Sequence, residues 1–209
     1  MVRVITIERE FGSGAREIAR LLAERLGWKL WDQRLTGEIA RLAQCDHAQV
    51  ADREERMDPL YYRLLKSFLR GSFEGSLNVH RLKLLDTDVI FRLTERVVHA
   101  AAEEGNCVLV GRGSAFFLEN RKDAFHVFLY GPALEKVRRV TESGTDRVEA
   151  ARLVATVDRE RADFIKKYFG KDWPCRRLYH LMINTSIGDE AVVQTILNGV
   201  AAQQKREVG

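Results

Sequence analysis

The stretch Arg9-Glu10-Phe11-Gly12-Ser13-Gly14-Ala15-Arg16-Glu17 has the residue types of a phosphate-binding turn. Val2, Val4, Ile5 and Ile7 form an apolar run before it, and Ile18, Leu21, Leu22 and Leu26 recur at helical spacing after it, up to Gly27. A strand that turns sharply into a helix aims free amide N–H groups and the positive end of the helix dipole at one point. A complete phosphate loop reads GxxxxGK[ST]. Here Gly14 is followed by Ala15, Arg16 and Glu17, so the lysine is missing. Gly12, Ser13, Gly14, Ala15 and Arg16 can still hold an anion through the backbone. Arg16 can supply the cation by curling over the turn, with Arg9 as a second candidate. Otherwise Arg16 is a solvent-facing residue of the first helical turn, where a cation is slightly unfavourable unless an anion is bound. Glu17 suits two roles: a ligand for a hard cation such as Mg2+, or an acidic residue favoured in a first turn.

Three other groups could take part. Arg112 stands between Gly111 and Gly113 after an apolar run. The glycines let backbone approach a ligand, and the guanidinium fork matches phosphate. Asp32 ends a short strand-like segment and either faces a ligand or caps the helix after it. Arg159 and Arg161 lie in a charged helical stretch with Lys166, Lys167 and Lys171. They either clamp phosphate or make ordinary surface pairs, since Arg159 and Asp163 are four residues apart.

The elements that must position these groups alternate. Strands are expected at Val2 to Ile7, Trp28 to Trp31, Cys107 to Val110, Phe125 to Tyr130 and Leu178 to Ile183. Helices are expected at Asp86 to Glu104, Ala133 to Val140 after Pro132, Glu149 to Tyr168 (as one helix or two) and Glu190 to Gln203. Alternation of this kind implies an α/β fold: three layers, α/β/α, around a five-stranded parallel sheet, with ligands beyond the carboxyl ends of the strands. The chain reads as a single domain over residues 1–209, with a helical insert at about 36–85 and a separate segment at about 141–175. The insert holds Asp52-Arg53-Glu54-Glu55-Arg56 and the aromatics Tyr61, Tyr62, Phe68 and Phe73, which make a homodimer conceivable. His126 and His180 fall in expected strands and are expected to be packed.

Bulk properties bound the rest. The chain has 209 residues, 45% of them hydrophobic, and a formal net charge of +4. That mild basic bias suits phosphorylated small molecules. It also raises a nucleic-acid partner as an alternative, against which the interleaving of bases and acids along the chain counts. Three scattered cysteines give no zinc spacing and no disulfide framework. No apolar run approaches the roughly 18 residues needed to span a bilayer, so a soluble, cytoplasmic protein with no membrane partner is expected.

The order of the pieces resembles the cytidylate kinase-like family of nucleoside monophosphate kinases. Val4-Ile5-Thr6-Ile7-Glu8 with Gly12-Ser13-Gly14 looks like the family's first strand and phosphate loop. Leu30-Trp31-Asp32 is similar to the second strand beside the monophosphate site. Val110-Gly111-Arg112-Gly113 is similar to the Gly-Arg-Asp segment ending the third, with Gly113 in place of the aspartate. Val127-Phe128-Leu129 and Glu135 to Arg139 look like the fourth strand and the arginine-bearing helix before the lid, and Asp158-Arg159-Glu160-Arg161 looks like the lid. Ile183-Asn184-Thr185-Ser186 resembles the end of the last strand. The likeness is to a divergent branch whose loop lacks the lysine. The resemblance implies a P-loop kinase using ATP and Mg2+, with CMP or dCMP as the first-choice acceptor. Gly12 to Glu17 would take the ATP phosphates, Asp32 and Arg112 the acceptor, and Arg16, Arg112, Arg159 and Arg161 the transferring group. It also leaves open a catalytically weak nucleotide-binding protein, or a kinase for another small phosphoacceptor.

Overall fold

Six consecutive buried residues make β1 (Val4–Arg9) the centre of the molecule. The computed structural model describes residues 1–47 and 87–208. β1 pairs in parallel with β3 (Cys107–Val110) on one side and β4 (Ala124–Tyr130) on the other. β2 (Lys29–Trp31) lies outside β3 and β5 (Leu181–Asn184) outside β4, giving the order β2-β3-β1-β4-β5. All four pairings are parallel, so the expected five-stranded sheet is present.

The two-residue period of the strands sorts side chains between two apolar layers. Ile5, Ile7, Val108, Val110, Val127 and Leu129 face α1 (Ala15–Leu26) and α7 (Asp189–Val208). Val4, Cys107, Leu109 and Phe128 face α2 (Gln33–His47), α3 (Thr87–Glu104) and α6 (Arg147–Phe169). The connection after β3 carries the four-residue helix α4 (Ser114–Phe117), which the sequence pattern does not signal. α5 (Ala133–Glu142) follows β4. A third cluster lies between α5 and α6, where Phe11 from the turn inserts among Val140, Leu153, Val154 and Val157.

The charged stretch before β5 is one 23-residue helix, α6, capped by Asp146, whose carboxylate accepts from the Val148 and Glu149 N–H groups. Within the expected insert, residues 36–47 continue α2. Residues 48–85, with all four of its aromatics, lie outside the described residues. Among the described residues no helix is long and apolar enough to cross a membrane.

β5 corrects the sequence expectation. It runs from Leu181 to Asn184, three residues later than the expected start at Leu178. Leu178 and Tyr179 are buried at 7% and 8% exposure, but as a loop folded over Phe128 rather than as ladder. Apolar burial alone mimics a strand there. His180 is therefore outside the strand and exposed; its Nδ1 accepts from the His126 N–H at 2.9 Å. His126, in β4, is packed as expected, with Nδ1 2.7 Å from Thr6 Oγ1.

Burial, helped by nearby His180, pushes the His126 pKa down from 6.5 to about 4. The folded state therefore favours the neutral ring. This stability is fully present above pH 6.5 and is lost as pH falls from 6.5 towards 4, because the unfolded chain takes up the proton first. The difference is on the order of 3 kcal/mol. His126→Gln should flatten the wild-type slope of unfolding free energy across that window, measured by denaturant titration at several pH values.

Candidate functional site

The strand order places a switch point between β1 and β3: the chain leaves β1 towards β2 but leaves β3 towards β4. Ligand crevices form outside the carboxyl ends of strands at such points. The turn after β1 lies here. Gly12 and Gly14 both adopt left-handed backbone, at φ +77° and +80°. A Cβ on Gly12 would lie 2.8 Å from the Lys136 carbonyl oxygen, and one on Gly14 would lie 2.1 Å from Arg139 Nη1. The glycines thus let α5 pack against one side of the turn. The Gly12, Gly14 and Ala15 amides have no hydrogen-bond partner among the described residues. Gly14 caps α1 without a side-chain bond. A cavity of about 500 Å³ opens over the turn, walled by Arg9, Arg20, Arg139 and Arg161.

The turn is tethered from behind. Phe11 N–H donates to Asp158 Oδ1 at 2.8 Å, and Lys136 Nζ donates to Glu10 Oε2 at 2.7 Å while lying 3.5 Å from Asp158 Oδ2. Arg139 donates to the carbonyl of Ser13, and its Nη2 reaches the Thr185 carbonyl and Asp189 Oδ1, both at 3.4 Å. Lys136 and Arg139 are three residues apart, on one face of α5.

Beside the turn, three guanidiniums converge. Arg9, Arg112 and Arg161 are exposed by only 3%, 2% and 7%. Arg112 has a left-handed backbone, φ +58°, between two left-handed glycines. That bend returns its side chain to Asp32 Oδ1 at 3.4 Å and Thr36 Oγ1 at 2.6 Å. Arg161 Nη1 donates to the Arg9 carbonyl at 3.0 Å and Asp158 Oδ1 at 3.1 Å. Burial pushes Arg112 down to about 10 and Arg161 down to about 9, with the charge of Arg9 adding to both shifts. Burial raises Glu8 and Asp158, against the pull of these arginines. Six buried polar atoms here have no partner among the described residues: Glu8 Oε1, Arg9 Nε and Nη2, Ser13 Oγ, Arg112 Nε and Ser114 Oγ. Native interiors rarely leave so many donors unsatisfied. A site with these unsatisfied donors and buried guanidiniums fits an anion.

Of the residues singled out from sequence, Arg9, Gly12, Ser13, Gly14, Asp32, Arg112 and Arg161 come together here. Ala15 is 3% exposed and packs in the apolar layer of α1 and α7. Arg16 is exposed at the start of α1. Glu17 bonds Arg20 through both carboxylate oxygens, which holds its pKa below the usual range. Arg159 faces solvent on α6, two residues from inward-facing Arg161. Among the described residues no three acidic, histidine or cysteine side chains are grouped to hold a metal ion. Sequence reasoning did not single out Glu8, Thr36, Lys136, Arg139 or Asp158 as individual contributors. The readable signal was the three-residue spacing of Lys136 and Arg139 on one face of α5, where Lys136 is buried and Arg139 half-buried.

Sheet order, glycine turn and arginine crevice together define a P-loop kinase fold. The model of the cytidylate kinase-like family matches residues 4–187, and the chain belongs to that family. An uncharacterized protein from Eubacterium ventriosum ATCC 27560 superimposes with a TM-score of 0.69 at 21% identity, covering 97% of this chain and 99% of that one. Shikimate kinase from Acinetobacter baumannii, in complex with shikimate, gives a TM-score of 0.53 at 21% identity, covering 97% and 94%. The cytidylate kinase of Shewanella sediminis (strain HAW-EB3) is 38% identical over 69 residues, 33% of this chain and 30% of that protein. That of Shewanella pealeana (strain ATCC 700345 / ANG-SQ1) is 34% identical over 76 residues, 36% and 33%. These matches span about a third of each relative's length.

Gly14→Ala should destabilise the protein by roughly 1–3 kcal/mol, through left-handed strain and displacement of Arg139. In an Arg139→Ala background the steric share disappears. The double variant should then be less destabilised than the sum of the single variants in a denaturant double-mutant cycle. Strict additivity would count against the contact.

Proposed function

We propose that this protein transfers the terminal phosphoryl group of ATP to a nucleoside monophosphate, with CMP or dCMP as the preferred acceptor. The observation carrying this reading is the placement of a free-amide glycine turn beside the buried Arg112–Asp32 pair, at the ends of neighbouring strands. Membership of the cytidylate kinase-like family supports it.

In this reading the amides of Gly12, Gly14 and Ala15 hold the ATP phosphates with Ser13 Oγ. Arg112 binds the acceptor, its geometry fixed by Asp32 and Thr36. Arg161, buried against the Arg9 carbonyl, adds positive charge where the transferred group is exposed. Glu17 at the first turn of α1 is the carboxylate that would hold Mg2+, which would screen the charge of the nucleotide phosphates. Phosphoryl transfer asks the protein mainly for alignment and electrostatics, and these residues supply both.

A second reading, nucleotide binding without transfer, is favoured by Ala15 in the lysine position and by Arg139 bonded to the Ser13 carbonyl. An ADP-coupled assay of the purified protein against a panel of nucleoside monophosphates separates the two. Turnover fastest with CMP or dCMP is expected; ATP binding with no turnover on any monophosphate would leave only the binding role. In the active protein, Arg112→Lys should raise the acceptor KM roughly tenfold to a hundredfold, because an ammonium cannot serve Asp32, Thr36 and phosphate at once. The ATP KM should change far less.

A further inference from the structure

Counting back from Gly14 as the last glycine of GxxxxGK[ST], the motif's first position falls on Arg9 and its lysine position on Ala15. The loop has lost a cation at one end and carries one at the other. Arg9 is the last residue of β1, 3% exposed, and its Nε and Nη2 are buried without a partner among the described residues. Its Nη1 lies 1.6 Å from where a Cβ on Gly111 would stand. Only a glycine there lets the guanidinium lie across the ends of β1 and β3. Arg9 lines the cavity over the glycine turn and is also close enough to Arg112 to perturb it.

We propose that Arg9 takes over the work of the absent loop lysine, its guanidinium holding the transferring phosphoryl group between the glycine turn and Arg112. This deepens the proposed function and rests on it. The other cations are committed elsewhere or face outward. Arg112 is held by Asp32 and Thr36, Arg161 by Asp158 and the Arg9 carbonyl, and Arg139 by Ser13, Thr185 and Asp189. Lys136 is taken by Glu10, and Arg16 is exposed. Arg9 alone among these buried cations has two donor atoms without a partner among the described residues.

The step balances without a proton. An oxygen of the acceptor phosphate forms a bond to the γ-phosphorus of ATP while the bond from that phosphorus to the β,γ-bridging oxygen breaks. The electron pair leaves on that oxygen with ADP. A phosphate monoester has its second pKa near about 6, so the attacking oxygen carries no proton at neutral pH and no base is needed. What the step needs is donors on the equatorial oxygens, and a guanidinium fork offers them in a fixed plane.

The test compares wild type, Arg9→Ala and Arg9→Lys by calorimetric titration with ATP and ADP in the presence of Mg2+, by turnover with the best acceptor, and by thermal unfolding without nucleotide. Wild type should bind ATP about tenfold or more tightly than ADP, because Arg9 meets the γ-phosphate. Arg9→Ala should lose that preference and at least about a hundredfold in kcat, while Arg9→Lys recovers part of both. Arg9→Ala should unfold at the same or a higher temperature than wild type, since it removes a buried guanidinium with two nitrogens unpartnered among the described residues. If Arg9→Ala keeps the ATP preference, or if it melts well below wild type while Arg9→Lys does not restore the preference, the proposal is overturned. Should wild type show the Arg9-dependent preference but phosphorylate no monophosphate, the proposal on Arg9 stands and the proposed function falls.

Discussion

Burial of three guanidiniums at the carboxyl ends of β1 and β3 is the constraint that organises everything around it. Like charges in a low-dielectric interior repel strongly, and each carries its own desolvation penalty. The protein offsets these terms only in part. Asp32 answers Arg112, and Asp158 answers Arg161. Glu8 sits among all three, its own ionisation opposed by burial. Arg9 has two donor atoms left over among the described residues. A fold that tolerates this arrangement must be held by packing elsewhere, and both apolar layers of the sheet run directly beneath it.

The same constraint explains the glycines. Gly111 leaves space for Arg9, while Gly12 and Gly14 leave space for α5 and Arg139. Their left-handed backbone thus serves the approach of protein side chains as well as the bend of the turn. α5 packs against one side of the turn, and Phe11 anchors it between α5 and α6. Rigidity of the turn therefore comes from tertiary contacts, not from its own sequence.

This is why the sheet could be read from the sequence more completely than the site. Buried parallel strands announce themselves as apolar runs, and Gly27 and Gly105 end helices in the left-handed conformation that favours glycine. Arg112 was legible because flanking glycines mark an unusual backbone. β5 was misplaced because Leu178 and Tyr179 are buried without pairing, and periodicity cannot separate the two cases. Arg161 and Arg159 are equally charged in sequence, yet their spacing on a helix puts them about 200° apart, one inward and one outward. Asp158 and Thr36 gave no signal, since an acid or a hydroxyl on a helix reads as surface until its partner is placed by the fold.

Where a loop keeps its cation is itself a physical choice. A lysine after the last glycine stands in the first turn of a helix, where the dipole already supplies positive charge and opposes another cation. In this chain that position is Ala15, buried with Ile18 and Leu22 in the apolar layer that seats α1 on the sheet. The helix start is thereby bound more tightly to the core, and a long charged side chain there would have to leave it. Charge at the end of β1 instead projects from a strand fixed on both sides, by β3 and β4. Such a group loses little further freedom when an anion arrives, because folding has already ordered it. If Arg9 holds the phosphoryl group as proposed, the loop keeps the electrostatic requirement of an anion site with a buried side chain on the central strand in place of a flexible one on a helix.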